Sequence, residues 1–331
     1  MMQPAVTVII PACNAERHLQ TCLDSVDAQR AGDSLSLQVI IVDDGSTDDT
    51  GIIADRYASS HSDVLVLHTP NGGLSTARNR ALEHAGGRWL TFLDSDDTLS
   101  PASLLPLVQY GDSCGADIVQ GVMQLRGVRV KSRGRIGSDD CLTIDAETAM
   151  GHVLTEKIFT TAQGRLYRAD VYGDLLFADG LYFEDVIWTA QALTRCKVYA
   201  VVNSPFYIYV YNDSSITGRV TRRHLDLFTT LDRRMELVRQ RFPRLLSQAT
   251  RLTFYNASRV VSHARDQKTD CFGQIQDAYN RLTAKYRDEI RRYVPWRLRM
   301  LYTNPACDFC YTKASKFYGR MLRLRTKTPA K

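Results

Sequence analysis

The feature that most restricts what this chain can fold into is a repeating order of apolar, strand-length runs and helix-patterned stretches. The runs are VTVIIPA (6–12), LQVIIVDD (37–44), VLVLHT (64–69), WLTFLD (89–94) and ADIVQGVMQL (116–125). LQVIIVDD is continuous rather than alternating, the pattern of a strand covered on both faces in a parallel sheet. Between them, ERHLQTCLDSV (16–26) places Leu19, Cys22, Leu23 and Val26 on one helical face. STDDTGIIADRYA follows the second run, with Ser46 or Thr47 placed to cap a helix. STARNRALEHAGG (75–87) reads as a helix stopped by Gly86 and Gly87, and Pro101 stands at the start of another. Strand–helix alternation with short loops predicts an α/β fold with a mostly parallel, doubly wound sheet.

Ligands of such sheets lie at the carboxyl ends of the strands. Here those ends carry Asn14, Asp43–Asp44 and Asp94–Asp97. Three carboxylates within four residues (Asp94, Asp96, Asp97) repel one another and need a positive partner or solvent. Converging Asp94 and Asp96 carboxylates suit a hard divalent cation, Mn²⁺ or Mg²⁺, that keeps positions open for substrate phosphates. The alternatives are a solvated turn, or Asp97 as a helix cap. Asp43 and Asp44 can accept hydrogen bonds from a nucleobase imide or a ribose hydroxyl, or can cap a helix, with Gly45 supplying the turn. NGGLSTARNRA (71–81) offers a Gly-rich turn, a helix N-terminus and Arg78, together suited to a diphosphate, or else an ordinary loop with a surface arginine. It is neither a P-loop nor a G-x-G-x-x-G. Glu184–Asp185 opens a helix, where the dipole favours carboxylates and where one of them could act as a general base.

Charge divides the chain. Residues 1–218 hold 16 Lys and Arg against 27 Asp and Glu, and residues 219–331 hold 26 against 9. We expect two parts: 1–218 as the α/β domain, in halves 1–120 and 121–218, and 219–331 as a basic helical C-terminal region. Residues 126–143 read as a loop or hairpin excursion, and 197–211 as strands. No apolar run reaches the ~18 residues of a membrane span, and the N-terminus reads as strand rather than signal peptide. The eight scattered cysteines suit free thiols in a reducing compartment, and Cys307-x-x-Cys310 has no partner pair. A cytoplasmic location is the expectation.

VTVIIPACNAERHLQTCLDSV, IIVDDGSTDDT, NGGLSTARNRAL and GRWLTFLDSDDTLSP, in this order and spacing, resemble the N-terminal half of the family 2 glycosyltransferases of GT-A fold. The similarity is close over residues 4 to about 120. It extends more loosely to about 217 through RLYRADV, LYFEDVIW and YIYVYNDSSIT, which are similar to bacterial capsule, exopolysaccharide and lipopolysaccharide members. The resemblance implies a nucleotide-diphosphate sugar donor, UDP-linked in most members, over the first strands. Pro11 and Asn14 would flank the nucleoside, Asp44 would meet the uracil with Asp43 alongside, and Arg78 would lie near base or phosphates. Asp94 and Asp96 match the family's D-x-D, with Asp96 the more direct metal ligand and Asp94 also on the donor side. Asp185 matches its base. The chain departs from the family's P-x-Y-N in having Cys13 before Asn14, which removes an aromatic ring there. The implied reaction is a metal-assisted, inverting single displacement onto a hydroxyl of a glycan or lipid-linked glycan. A noncatalytic nucleotide-sugar- or carbohydrate-binding protein on the same fold is the alternative.

RRYVPWRLRMLY (291–302) and KASKFYGRMLRLRTK (313–327) mix basic with aromatic and aliphatic residues. That composition suits an interfacial helix at the inner face of the cytoplasmic membrane, through residues 290–331, or a helical lid. No helix-turn-helix, RNA-recognition or zinc-finger pattern occurs, so no nucleic-acid partner is expected.

Overall fold

The computed structural model describes residues 3–30, 35–127, 132–211 and 219–303. The chain divides into two compact units, the second comprising 151–156 together with the chain beyond residue 218.

The larger unit is a ten-stranded sheet covered by helices. Its strands are β1 (Val6–Ala12), β2 (Leu37–Asp44), β3 (Val64–Thr69), β4 (Trp89–Phe92), β5 (Thr98–Leu99), β6 (Ile118–Arg126), β7 (Ser132–Arg133), β8 (Cys141–Asp145), β9 (Arg165–Arg168) and β10 (Val198–Val210). The helices are α1 (Leu19–Asp27), α2 (Thr50–Ser59), α3 (Leu74–Leu82), α4 (Leu104–Cys114), α5 (Ala146–Leu154), α6 (Ala169–Tyr172) and α7 (Asp185–Arg195), with the last turn of α5 in the second unit. The strand order is β3-β2-β1-β4-β9-β6-β10-β5, with β7 added on β6 and β8 on β10.

The uninterrupted apolar runs do what their composition requires. All seven residues of β1 are buried, and β2 is buried at every position but one. β1 pairs in parallel with β2 on one side and β4 on the other, and β2 pairs in parallel with β3. Leu19, Cys22, Leu23 and Val26 of α1 are fully buried against this half of the sheet, as their spacing requires. The chain winds outward from β1 to β3 and then returns to the other side of β1 at β4, so the crevice at this switch point opens at the carboxyl ends of β1 and β4. Parallel pairing brings Ala12 level with Asp43, and Asp44 level with Thr69. The acids of β2 and those following β4 therefore share one edge.

The other half is mixed. β9 is antiparallel to both β4 and β6, between which it lies, whereas β6 and β10 run parallel. The segment 197–211 is one long strand, with register shifts around Pro205, whose missing N–H interrupts the ladder. Parts of the 126–143 excursion pair back as β7 and β8. Two helix boundaries differ from the sequence expectation. α3 ends at Leu82, before the glycine pair, and α2 begins at Thr50. The Asp48 carboxylate accepts the Thr50 N–H and hydroxyl, leaving Ser46 and Thr47 for other work.

The second unit is helical: α8 (Leu225–Arg241), α9 (Leu246–Asp266), α10 (Phe272–Lys285), α11 (Arg287–Tyr293) and α12 (Trp296–Thr303). Leu231, Met235 and Val238 of α8, Ala249, Leu252, Ala257 and Val261 of α9, and Ile275 and Leu282 of α10 form its interior. Arg234 is buried among them. Its Nε and Nη1 have no hydrogen-bond partner, and its Nη2 reaches only Thr253 Oγ1 at 3.4 Å. Among the described residues no helix is long and apolar enough to cross a membrane. Most of the 290–331 segment, with Cys307 and Cys310, lies outside the described residues. The six described cysteines are free thiols.

Candidate active site

The site is built on the carboxyl edge of the sheet. Gly45 makes the turn after β2 with φ +68°, and a Cβ there would come within 2.6 Å of the Asn71 backbone nitrogen. The turn lets Ser46 and Thr47 reach the end of β1. Ser46 Oγ accepts the Asn14 N–H at 3.0 Å, and Asn14 Oδ1 accepts the Thr47 N–H at 2.9 Å. Asn14, at φ +51°, is thus locked to the β2–α2 loop, and Pro11 is buried within β1. The two residues expected to cap α2 instead fix the geometry between two strand ends.

Asp43 and Asp44 point to different tasks. Asp44 accepts the backbone N–H groups of Gly72 (2.9 Å) and Gly73 (2.8 Å), so it secures the Gly-rich turn ahead of α3. Asp43 accepts the Ser46 N–H at 3.1 Å and contacts His68 Nδ1 at 2.9 Å. Burial acts to raise the Asp43 carboxyl, but the hydrogen bonds from Ser46 and His68 outweigh it and hold the group below its usual range. His68 lies between Asp43 and Asp55, and its imidazole is raised by those two hydrogen bonds.

Arg78, one turn into α3, answers the crowding of acids. Its guanidinium is wholly buried. Nη2 donates to Asp94 Oδ1 at 3.0 Å, and Nη1 donates to Glu184 Oε1 at 2.8 Å and Asp185 Oδ1 at 3.1 Å. The planar face lies 5.0 Å from the Phe177 ring centroid and 5.6 Å from that of Phe92. The sequence reading placed Arg78 at base or phosphates. In the structure it lines the cavity and is paired with three carboxylates, because a buried cation amid acids gains more from a forked set of charge-assisted bonds than from solvent.

The acids after β4 are held at distinct depths. Asp94 follows the strand by two residues; its Oδ2 accepts Gln163 Nε2 at 2.6 Å, so both oxygens are engaged. Asp97 is buried beneath and accepts the Tyr207 hydroxyl at 2.6 Å and the Val210 N–H at 2.8 Å. Burial, then the charge of Asp94, pushes the Asp97 carboxyl up to about 8 against those two hydrogen bonds. Asp97 is therefore a structural acid and not the helix cap considered above, since α4 begins only at Leu104. Tyr207 also accepts the Asp94 N–H at 3.2 Å, tying both ends of the acidic turn to β10. Asp96 alone of the three faces outward. Among the described residues its carboxylate meets no donor other than its own backbone, and desolvation, then Asp94, raises it.

Asp185 is the first residue of α7, and Phe183 ahead of it takes φ +62°, which turns the chain into the helix. Burial pushes the Asp185 carboxyl up to about 7. Arg78 pulls it down, while Glu184 and Asp94 push it further up.

Asp94, Asp96, Asp97, Glu184 and Asp185 line one cavity of about 530 Å³. Its remaining wall includes Gly72–Ser75, Met123, Gln163, Leu181, Tyr182, Phe183, Tyr207 and Tyr209. Pro11, Asn14, Asp43 and Asp44 are not part of that lining. Sequence reasoning missed Gln163, for which no local signal exists. It also missed Tyr207 and Tyr209, whose period-two spacing in FYIYVY was a signal of one shared strand face. Among the described residues no group of three or more His, Cys, Asp or Glu could by itself hold a metal ion. Asp94 and Asp96 are oxygen donors of the kind a hard cation takes, with the Asp96 carboxylate facing outward and both Asp94 oxygens accepting hydrogen bonds from Arg78 and Gln163.

Six strands running one way, an inserted antiparallel strand and an acidic cleft at the switch point define an α/β protein of the GT-A type. The solved structure of residues 1–349 of TarS from S. aureus, in complex with UDP-GlcNAc, superposes with a TM-score of 0.64 at 20% identity, covering 91% of this chain and 84% of that one. A mannosyltransferase from Pyrobaculum calidifontis, in complex with GDP-Man and Mn²⁺, superposes with a TM-score of 0.54 at 16% identity over 98% of this chain and 84% of that one. The chain belongs to glycosyl transferase family 2, whose profile matches residues 7–176, just over half of its length. It is 30% identical over 222 residues to the uncharacterized glycosyltransferase EpsJ of Bacillus subtilis (65% of this chain, 64% of that one) and 28% identical over 227 residues to the uncharacterized glycosyltransferase YibD of Escherichia coli (64% and 63%). The match thus spans just under two thirds of these relatives' own length.

Proposed function

We propose that this chain transfers a sugar, with inversion, from a UDP-linked donor to a hydroxyl of a glycan or lipid-linked glycan in bacterial surface-polysaccharide synthesis. The observation that carries the proposal is one cavity uniting Asp94 and Asp96, from the exit of β4, with Asp185, from the start of α7. The donor's nucleoside extends toward the ends of β1 and β2, where Pro11, Asn14, Asp43 and Asp44 form a preorganised edge. Asp94 and Asp96 would hold a Mn²⁺ or Mg²⁺ ion, which when bound neutralises charge on the departing diphosphate. Asp185 accepts the proton of the acceptor hydroxyl as its oxygen attacks the anomeric carbon from the face opposite the diphosphate. A single displacement needs one base, and the raised carboxyl of Asp185 suits proton abstraction near neutral pH. Arg78 restrains that rise and fixes the carboxylate's direction. Tyr182, Phe183 and Tyr209 supply ring faces to the sugars, while the Tyr207 hydroxyl stays committed to Asp97.

The UDP-GlcNAc complex among the fold neighbours supports a UDP-linked donor, and the GDP-Man complex makes GDP the control. Nucleotide release should be screened with UDP-Glc, UDP-Gal, their N-acetyl forms and GDP-Man, with and without Mn²⁺. Release that depends on both a UDP-sugar and an acceptor, and falls by roughly 10²-fold or more in Asp185→Asn while UDP affinity holds, is the expected result. Near-wild-type turnover in that variant would remove Asp185 as the base.

The basic C-terminal region supports peripheral contact with the inner face of the cytoplasmic membrane. Trp296 is 60% exposed, and Arg291, Arg292 and Arg297 nearby in sequence are exposed as well. Flotation with anionic vesicles should be lost on removal of residues 290–331; unchanged partitioning refutes the contact.

A further inference from the structure

Residues 173–184 contain no helix or strand. Yet this segment delivers Glu184 and then Asp185 to the cavity and walls it with Gly180, Leu181, Tyr182 and Phe183. A stretch without ladder or helical bonds takes its definition from elsewhere. Asn79 on α3 supplies it. Its carboxamide closes a two-way pair with the backbone of Phe177: Nδ2 donates to the carbonyl at 2.9 Å, and Oδ1 accepts the N–H at 2.8 Å. Nδ2 also donates to Asp179 Oδ1 at 3.0 Å, an oxygen that accepts the Thr76 hydroxyl at 3.0 Å. Asn79 is only 8% exposed and does not line the cavity.

Phe177 passes this constraint on in two directions. Its ring stacks on Trp188 of α7, with centroids 4.8 Å apart and planes 4° from parallel. In the second direction it meets the Arg78 guanidinium, 5.0 Å from the ring centroid, and it also packs edge to face against Phe92 of β4 at 5.3 Å. A displaced Phe177 would shift both the helix that begins with Asp185 and the cation that pairs with it. We infer that Asn79 is a positioning residue: by clamping Phe177 it sets the register of Glu184–Asp185 against Arg78. This rests on Asp185 being the base, and it makes α3 a template, with Arg78 supplying charge and Asn79 supplying geometry. Asp179 and Thr76 form an outer, weaker hold on the same segment.

The test compares Asn79→Ala and Asp179→Ala with the wild-type chain, each well below its melting temperature. The measurements are UDP affinity with Mn²⁺, kcat with the donor found active, and amide hydrogen exchange resolved along the chain. Asn79→Ala should lose roughly 10- to 100-fold in kcat, while UDP affinity stays within about threefold. Its exchange should quicken locally, over residues 177–186, with β1, β2 and β4 unchanged. Asp179→Ala leaves the Phe177 clamp intact and should lose less than about fivefold in kcat. A kcat within about twofold of wild type in Asn79→Ala, or exchange that rises evenly over the whole unit, would reduce Asn79 to an ordinary stabilising residue. If the wild-type chain transfers no sugar, the base assignment fails. The clamp is then decided by exchange alone: a local rise at 177–186 upholds it, and unchanged protection there overturns it.

Discussion

Replacing Arg78 by Met is the perturbation whose consequence follows most directly from the structure. The guanidinium has no exposure and pairs with carboxylates at 2.8, 3.0 and 3.1 Å. At an effective dielectric near 20, one such pair is worth on the order of 5 kcal/mol. Three pairs do not add to three times that, because the acids repel one another and the buried cation forfeits its hydration. Removing a buried ionic partner costs about 3–5 kcal/mol in practice, a large share of a stability of about 5–15 kcal/mol. The sign with pH is also fixed. Without Arg78, the folded-state pKa of Asp185, already raised by burial, rises further above its unfolded value near 4. A carboxyl raised on folding loses stability as pH climbs from its unfolded pKa to its folded one. The deficit of Arg78→Met relative to wild type should therefore be small near pH 4.5 and larger at pH 8. Urea unfolding at the two pH values measures it, and Arg78→Lys, which keeps charge but loses the fork, should fall between. A deficit below about 1 kcal/mol at pH 8, or one independent of pH, would refute the view that Arg78 neutralises the cluster.

Three further outcomes are expected. Asp96→Ala should abolish the Mn²⁺-dependent part of UDP binding in calorimetry while leaving the melting temperature within about 2 °C, since this carboxylate is exposed and holds no other side chain. The rate kcat/KM should rise about tenfold per pH unit below a midpoint near 7 and level off above it, because Asp185 must be deprotonated to act and is pushed up to about 7; a profile flat from pH 5 to 8 contradicts this. Arg234→Met in α8 should stabilise the chain by roughly 1–3 kcal/mol, because it removes a buried cation with two unpartnered nitrogens and fills the same space with apolar atoms. A lowered melting temperature would mean that the opposing charge of Glu156 compensates the burial of Arg234.

What the sequence by itself determined are the features set by short-range rules. Strand and helix periods repeat within a few residues, and unbroken apolar runs leave little choice but a covered parallel sheet. Since parallel strands share a direction, Asp43, Asp44 and Asp94 had to collect on one edge. What only the tertiary structure decided are the pairings between distant side chains. Arg78 meets Glu184 and Asp185 across 106 and 107 residues of chain, and Tyr207 meets Asp97 across 110. Nothing local requires Ser46 and Thr47 to bind Asn14 rather than cap α2, or β9 to enter antiparallel between β4 and β6. The physical reason is that a buried polar group must find a partner somewhere in the folded chain. Its identity fixes that need, and only packing decides which residue meets it.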